Sequence, residues 1–522
     1  MSAAPAVLAA LADGAADAVL RETHLSWVLL AGERAYKVKK PVAFAFVDQR
    51  SLRRRRELCE AEVELNAALA PGVYRGVHAI VPAAAGFCLA PADDPAAVEY
   101  AVEMARFDED ATLAALVRRN ALRDAQLVAL AERLAAFHAS ARVVVPPAGE
   151  AAAPAAGAPG AARASALQRR FDANASELLD LLPAAEERRA LAAQARCAHA
   201  YLAGRAGALA ARAAAGHVRD CHGDLRAEHV LPGPPPLIVD RLEFSRALRE
   251  IDVADELAFL AMDLTALGAP DVARALLDAY RAAGGDPGGD DLVAFHAIYR
   301  AHVRAKVALL RGPAQRAPAA ALLGVAERFA WQLRVPAIVV VCGPAASGKS
   351  RLAHELAQRS GRPVLAADVV RKRLAGLPPT ARADEERYAP GVSLRTYGEL
   401  GRLAAAEPAG AIVDATFRRR ADRDAFAAAL DLAGADEGPV FAECVAPEDV
   451  LWERAAQRLL EPQRISDATP ELALAQRAAF EALDEVPADR HHPLRSDRPP
   501  AAICEALAAA RDAELAQEGP GA

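Results

Sequence analysis

The stretch VPAIVVVCGPAASGKS, Val335 to Ser350, decides how the second half of this chain folds. VPAIVVVCG is a continuous apolar run, as expected of a strand buried on both faces of a parallel sheet. Gly343 to Ser350 then matches G-x-x-x-x-G-K-[ST], and the helical run RLAHELAQR follows at once. Strand, loop, Lys-Ser and helix in that order form a cradle for phosphates. Backbone N–H groups around Gly343, Ser347 and Gly348 can wrap phosphate oxygens, and the helix N-terminus adds positive potential. Lys349 can reach the β and γ oxygens of ATP, and the Ser350 hydroxyl suits Mg²⁺.

Three segments downstream extend that reading. AIVDATF, Ala411 to Phe417, is an apolar strand ending in Asp414, and a parallel sheet would deliver that carboxylate beside the phosphate loop to polarise Mg²⁺ or its water. In VLAADVVRKRL, Asp368 and Arg371 follow another apolar strand. Asp368 could orient or deprotonate an acceptor hydroxyl, and Arg371 could neutralise a phosphate or acid on the acceptor. In WERAAQR, Arg454 and Arg458 stand at i and i+4, on one helix face, where the pair could close over a phosphoryl group in transfer.

With those residues in place, residues 335–515 resemble the small P-loop kinases, the broad group of gluconate kinase, polynucleotide 5′-kinase and the zeta-toxin sugar-nucleotide kinases. The phosphate loop and the VDAT strand carry the resemblance. It implies an α/β P-loop NTPase domain over 335–522. Polynucleotide-kinase-type members usually have a Ser shortly before the Asp, and Ala366-Ala367 stand there in this chain. That departure argues against nucleic-acid 5′-hydroxyls as acceptors.

The first half has a different grammar. SWVLL, AGER and AYKVKKPV read as a β-hairpin, an Arg-rich helix follows from Ser51 to Leu69, and VHAIVPA, GFCLAP and VEYAVEMARF are further β-like pieces. Cys221-His222-Gly223-Asp224-Leu225 precedes a Pro-rich turn and the short run LIVD, which ends in Asp240. Asp224, braced by His222, can take a proton from an attacking hydroxyl, while Asp240 binds Mg²⁺. Upstream, Lys37 can hold the α and β phosphates and Glu62 can orient it; Lys39 shares the strand face and competes for that role.

HLSWVLL, AYKVKKPV, RRRRELCEAEVELN, EYAVEM, HGDL, VDRLEF and REIDVADELAFLAMDL occur in the order that resembles the aminoglycoside phosphotransferase family, over about residues 20–320. Within that family the chain is most similar to the group in which such a domain is fused to a P-loop kinase. The resemblance implies a protein-kinase-like α+β fold for 1–334, with Asp224 as catalytic base, Asp240 as metal ligand and Glu103-Met104 as the hinge that meets adenine. The pattern H-G-D-x-x-x-x-N places a metal-binding Asn where this chain has His229. Imidazole is a poorer ligand than an amide oxygen for hard Mg²⁺, so either His229 or Glu228 substitutes or the metal is held weakly.

The whole chain has 522 residues, 62 basic against 69 acidic side chains and a formal net charge of −7. That mild acidity argues against a dedicated nucleic-acid or anionic-membrane binder. Seven scattered cysteines without a C-x-x-C pair fit a reducing cytoplasm better than a disulfide or zinc framework. The N-terminal segment, with Asp13 and Asp17 and no basic region, reads as an amphipathic helix and not as a leader or membrane span. Residues 143–164, almost wholly Ala, Pro, Gly and Val, read as a flexible insertion, and helices are expected over 165–216 and 252–334. Arg53 to Arg56 with the following glutamates read as i,i+4 pairs, and His491-His492 as surface.

The expectation is therefore an ATP-dependent phosphotransferase acting on a hydroxyl of a small molecule, of the sugar or sugar-nucleotide class, with a second kinase-like domain. The alternatives are a nucleotide-sensing binding module and a nucleic-acid end kinase. The latter needs a basic groove around Arg371, Arg373 and Arg395.

Overall fold

The computed structural model describes residues 18–44, 47–84, 86–145, 161–378, 390–407, 410–433, 438–459 and 469–516. By their contacts the residues fall into two compact units, one of 1–155 with 210–300, the other of 156–209 with 301–522. The N-terminal helix expected before residue 18 and the centre of the 143–164 stretch lie outside the described residues. At the edges of that stretch, Val143 bridges to Arg219 and residues 161–164 already belong to the helix Ala161–Leu181.

The first unit is α+β. Its antiparallel sheet comprises β1 (Val19–Glu22), β2 (Ser26–Ala31), β3 (Arg34–Lys39), β4 (Tyr74–Ala83), β5 (Gly86–Pro91) and β6 (Glu99–Ala105) in the order β1-β2-β3-β6-β4-β5. Gly32, at φ +56°, turns the β2–β3 hairpin in a two-residue loop. Helix α1 (Leu52–Asn66) starts where the Ser51 hydroxyl accepts the Arg54 N–H. Its buried residues Arg55, Leu58, Cys59, Glu62 and Asn66 share one face. The expected Arg53–Glu57 and Arg56–Glu60 pairs form on the outside, whereas Arg55 turns inward and binds Glu99 of β6 at 2.8 Å. Helix α2 (Val253–Ala266) is buried along almost its whole length, capped by the Asp252 side chain.

Among its described residues the second unit holds five parallel strands: β7 (Ile338–Cys342), β8 (Val364–Ala366), β9 (Ala411–Asp414), β10 (Val440–Val445) and β11 (His491–Arg495). Their order is β8-β9-β7-β10-β11, and every residue of central β7 is buried. One face of the sheet packs Tyr397, Leu400, Phe417 and Phe426; the other packs Leu352, Leu356, Ile503 and Leu507, with Trp331 and Val335 joining the same core. The expected helical tracts are present as Ala161–Leu181, Ala185–Ala214, Asp290–Leu310 and Arg316–Arg334. His491-His492 is a correction: the pair lies on β11, His492 is buried and His491 binds Glu443 of β10 at 2.8 Å. The doublet looked polar, but alternation along an edge strand turns its second ring inward. Among the described residues no helix is long and apolar enough to cross a membrane.

Buried imidazoles set a pH dependence. His302, fully enclosed against Gln194 and Phe171, is pushed down to about 3 by burial, and His222 to about 4, also by burial first. Such residues fold as neutral rings, so their contribution is complete above the unfolded value of about 6.5 and is lost as pH falls through the acidic range. Urea midpoints should therefore be lower at pH 5 than at pH 7.5, and His302→Gln should flatten that difference. Equal midpoints at the two pH values would contradict it.

Candidate functional site

In the second unit, the topology itself makes the site. β7 lies between β9 and β10, so the chain leaving its C-terminal end enters the crevice where strand order reverses. Val341 is in register with Asp414, and the Gly343 N–H donates to the Thr416 carbonyl at 3.2 Å. Gly343 has φ +136°, and a Cβ there would stand 2.7 Å from the Cys444 carbonyl oxygen and 2.9 Å from Ser347 Oγ. Only glycine fits so close an approach. Gly348, at φ +95°, then caps helix α3 (Lys349–Ser360), whose first residues are Lys349 and Ser350. Lys349 Nζ rests 3.4 Å from the Pro344 carbonyl.

Among the described residues, two polar atoms at this point are buried without a hydrogen-bond partner: Ser347 Oγ and Asp414 Oδ1. A polar oxygen left unpaired in the interior is costly unless a cation or donor arrives. Asp414, Ser350 and the glycine cradle thus fit a magnesium-bound phosphate chain.

On one side of this loop, helix α4 (Ala367–Leu374) carries Asp368 and Arg371, which bind each other at 2.7 Å, with Arg371 buried. On the other, helix α5 (Glu448–Arg458) carries Arg454, whose guanidinium donates to the Ser347 carbonyl at 3.4 Å and the Ser496 carbonyl at 2.8 Å. A cleft of about 260 Å³ opens there, lined by Gly348, Arg351, Arg454, Gln457, Ser496 and Arg498. The side chain of Arg458 lies outside the described residues. Of the basic groove needed by an end kinase, Arg371 is buried against Asp368 and Arg373 binds Glu399 at 2.9 Å.

In the first unit, the sheet, helix α1 and the HGD loop converge. Lys37 Nζ binds Glu62 Oε1 at 2.7 Å and Asp240 Oδ1 at 2.5 Å. Lys39 Nζ binds the other Glu62 oxygen at 2.7 Å and Glu243 at 2.5 Å, and is fully buried. Glu62 therefore serves both lysines, and of the two only Lys37 also reaches Asp240. Burial alone would lower Lys37 and raise Glu62 and Asp240, but the opposite charges outweigh it. Lys37 is held well above its ordinary value, and both carboxylates are held below theirs.

Consecutive contacts fix the backbone at Asp240, which adopts φ +65°. His222 Nε2 donates to the Val239 carbonyl at 2.9 Å, the Asp240 N–H donates to Tyr74 Oη at 2.9 Å, and the Arg241 N–H donates to Asn66 Oδ1 at 2.9 Å. The HGD turn is held from below by Glu256 of α2, whose two oxygens accept the His222 N–H at 2.9 Å and the Gly223 N–H at 2.7 Å. His138 Nε2 lies 3.0 Å from the same carboxylate.

Asp224 is gripped by Arg226, with N···O distances of 3.0–3.2 Å. His229 Nδ1 sits 2.9 Å from the Asp224 carbonyl, which can only accept, so that nitrogen carries the proton. Its Nε2 then accepts from Arg226 Nη2 at 2.8 Å, and both ring nitrogens are engaged. Burial, with Arg226 beside it, holds His229 below its ordinary value. The Glu103 carboxylate, on β6, meets His78 at 2.8 Å and Arg34 at 3.2 Å, and Met104 next to it packs into the core under the sheet.

Sequence reasoning missed Arg226, Glu243, Glu256, Tyr74 and Asn66. Glu243 and Glu256 stand within VDRLEF and REIDVADELAFLAMDL, and Arg226 directly follows HGDL. Asn66 closes RRRRELCEAEVELN, whereas Tyr74 carries no signal, because its partner is a backbone group remote in sequence.

The family described as AAA domain matches residues 338–483, the phosphate loop and the sheet around it. The uncharacterized protein Rv2004c of Mycobacterium tuberculosis is 32% identical over 477 residues, covering 88% of this chain and 89% of its own length. The chain belongs to the Rv2004c family. The uncharacterized protein Mb2027c of Mycobacterium bovis, another member, matches over the same 477 residues at 32% identity, 88% of this chain and 89% of its own. Among solved structures, a gluconokinase from Sinorhizobium meliloti 1021 aligns with 35% of the chain and 95% of its own length, at 25% identity and a TM-score of 0.26. A choline/ethanolamine kinase family protein from Mesorhizobium loti aligns with 62% of this Rv2004c-family chain and 95% of its own, at 14% identity and a TM-score of 0.36. The α+β first unit and the P-loop NTPase sheet of the second are the architecture of this Rv2004c-family chain.

Proposed function

We propose that the second unit is an ATP-dependent kinase that moves the γ-phosphoryl group to a hydroxyl of a small molecule, of the sugar or sugar-nucleotide class. The first unit, in this reading, is a second, kinase-like triphosphate site. The observation that carries the proposal is the buried, unpartnered Asp414 oxygen beside the glycine cradle. Lys349 and the loop amides hold the phosphates, and Ser350 and Asp414 would hold Mg²⁺, which neutralises phosphate charge when bound. The cleft at Gly348, with Arg454 and Arg351 on its walls, suits the purine base, because guanidinium planes stack on aromatic rings. Asp368, held by Arg371, receives the proton of the acceptor hydroxyl as its oxygen bonds to phosphorus and the bond to the β-phosphate oxygen breaks.

In the first unit, Lys37 would hold the α and β phosphates, Glu62 keeps it in place, and Asp224 is the base. Lys39, committed to Glu62 and Glu243, is a positioning residue.

The test is phosphate transfer from γ-labelled ATP to a panel of sugars, sugar acids and sugar nucleotides by the full chain. Label appearing on one acceptor class, and lost with Asp368→Asn, is the expected result. ADP release that no acceptor stimulates, with no label transferred, would instead favour a nucleotide-sensing module.

A further inference from the structure

The carboxylates of Asp224, Glu228 and Asp240 converge on one point of the first unit, the ring of His229, whose nitrogens lie 3.8, 3.8 and 3.7 Å from them. Three anions so arranged ordinarily gather divalent ions. Two cationic side chains are already there. Lys37 is bound to Asp240, and Arg226 binds both Asp224 and Glu228 while donating to His229 Nε2. Because the His229 Nδ1 proton is fixed on the Asp224 carbonyl, the Nε2 lone pair faces Arg226, and the imidazole holds a guanidinium where it could have held a metal.

We propose that Arg226 is the second cation of this phosphate site, so that the first unit takes one divalent ion, at Asp240, and the guanidinium supplies the remaining positive charge beside Asp224. The inference rests on the first unit being a triphosphate site. A guanidinium is always charged, presents a planar fork to phosphate oxygens and needs no hard-ligand shell, so His229 serves it as well as an amide oxygen serves a magnesium ion. Phosphoryl-transfer sites use both kinds of cation for the same purpose, to spread the charge that grows on the transferred group. Arg226 is mostly buried and held beside Asp224 by that carboxylate, by Glu228 and by His229, and it would meet a phosphate by exchanging its outer contact to Glu228.

The experiment counts ions and nucleotides on the full chain, using Mn²⁺ read by electron paramagnetic resonance and a non-hydrolysable ATP analogue at saturation. The wild type should hold two nucleotides and two Mn²⁺ ions, one of each per unit, and Arg226→Lys should hold the same. Arg226→Met with His229→Asn should hold three ions. Three ions on the wild type would overturn the inference by itself, whether or not the double variant folds. So would two ions on a double variant that still retains both nucleotides. A wild type that retains a single nucleotide, with Lys349→Ala abolishing it, would remove the first unit's nucleotide reading, and the inference with it, while leaving the second unit's proposal standing.

Discussion

Lys349→Ala should lower ATP turnover by the second unit about 10²- to 10³-fold, the usual cost of deleting one preorganised electrostatic contact to a reacting group. Lys349 opens helix α3 directly after the glycine cap, and its ammonium is held only at 3.4 Å by the Pro344 carbonyl. Among the described residues no carboxylate neutralises it, so its charge is available to a phosphate. The loss should fall on kcat more than on the nucleotide KM, because backbone N–H groups of the loop still grip the ground state. The measurement is ADP release in a chain that also carries Asp240→Asn, which keeps the first unit silent. Unchanged turnover would reject the assignment of the loop as a reacting-phosphate site. Thermal unfolding should move little, since the side chain sits at the crevice and packs into no core cluster.

The second large effect is expected at Glu62. Its carboxylate is wholly buried and holds two ammonium groups, one on each oxygen. Glu62→Gln keeps the shape but removes the charge, leaving two cations to share Asp240 and Glu243. Breaking a buried ion pair from one side costs about 3–5 kcal/mol, because the surviving charge stays desolvated. The first unit should therefore unfold at a lower denaturant concentration. Acid should mimic the substitution: a carboxylate held below its ordinary value contributes stability that is full above about pH 4.3 and fades as pH falls through the lowered value. A midpoint shift below about 1 kcal/mol would mean that water reaches the cluster. Pairing the change with Lys39→Met should recover part of the loss, since one orphaned cation goes with it.

What the sequence disclosed, and what it hid, follow from the range of the interactions. The phosphate loop was legible because strand, loop and helix are contiguous, and Asp414 because a parallel sheet aligns strand ends. The α+β character of the first unit was legible through short motifs. The choice between Lys37 and Lys39 was not, because both alternate to the same side of β3 and only tertiary placement gives Asp240 to one of them. Arg454 was read as closing over the phosphoryl group from its i,i+4 spacing with Arg458. Which side of the loop α5 occupies is a matter of packing, and it places the Arg454 guanidinium against Ser347 and Ser496. His492 was misjudged because composition says nothing of which face of an edge strand is covered.

The three successive grips on residues 239–241 carry a further consequence. In many phosphoryl-transfer proteins a loop is loose until a signal arrives, and its settling is the switch. Here a ring, a phenol and an amide each hold it, so a triphosphate bound as proposed would have little local chain entropy to quench.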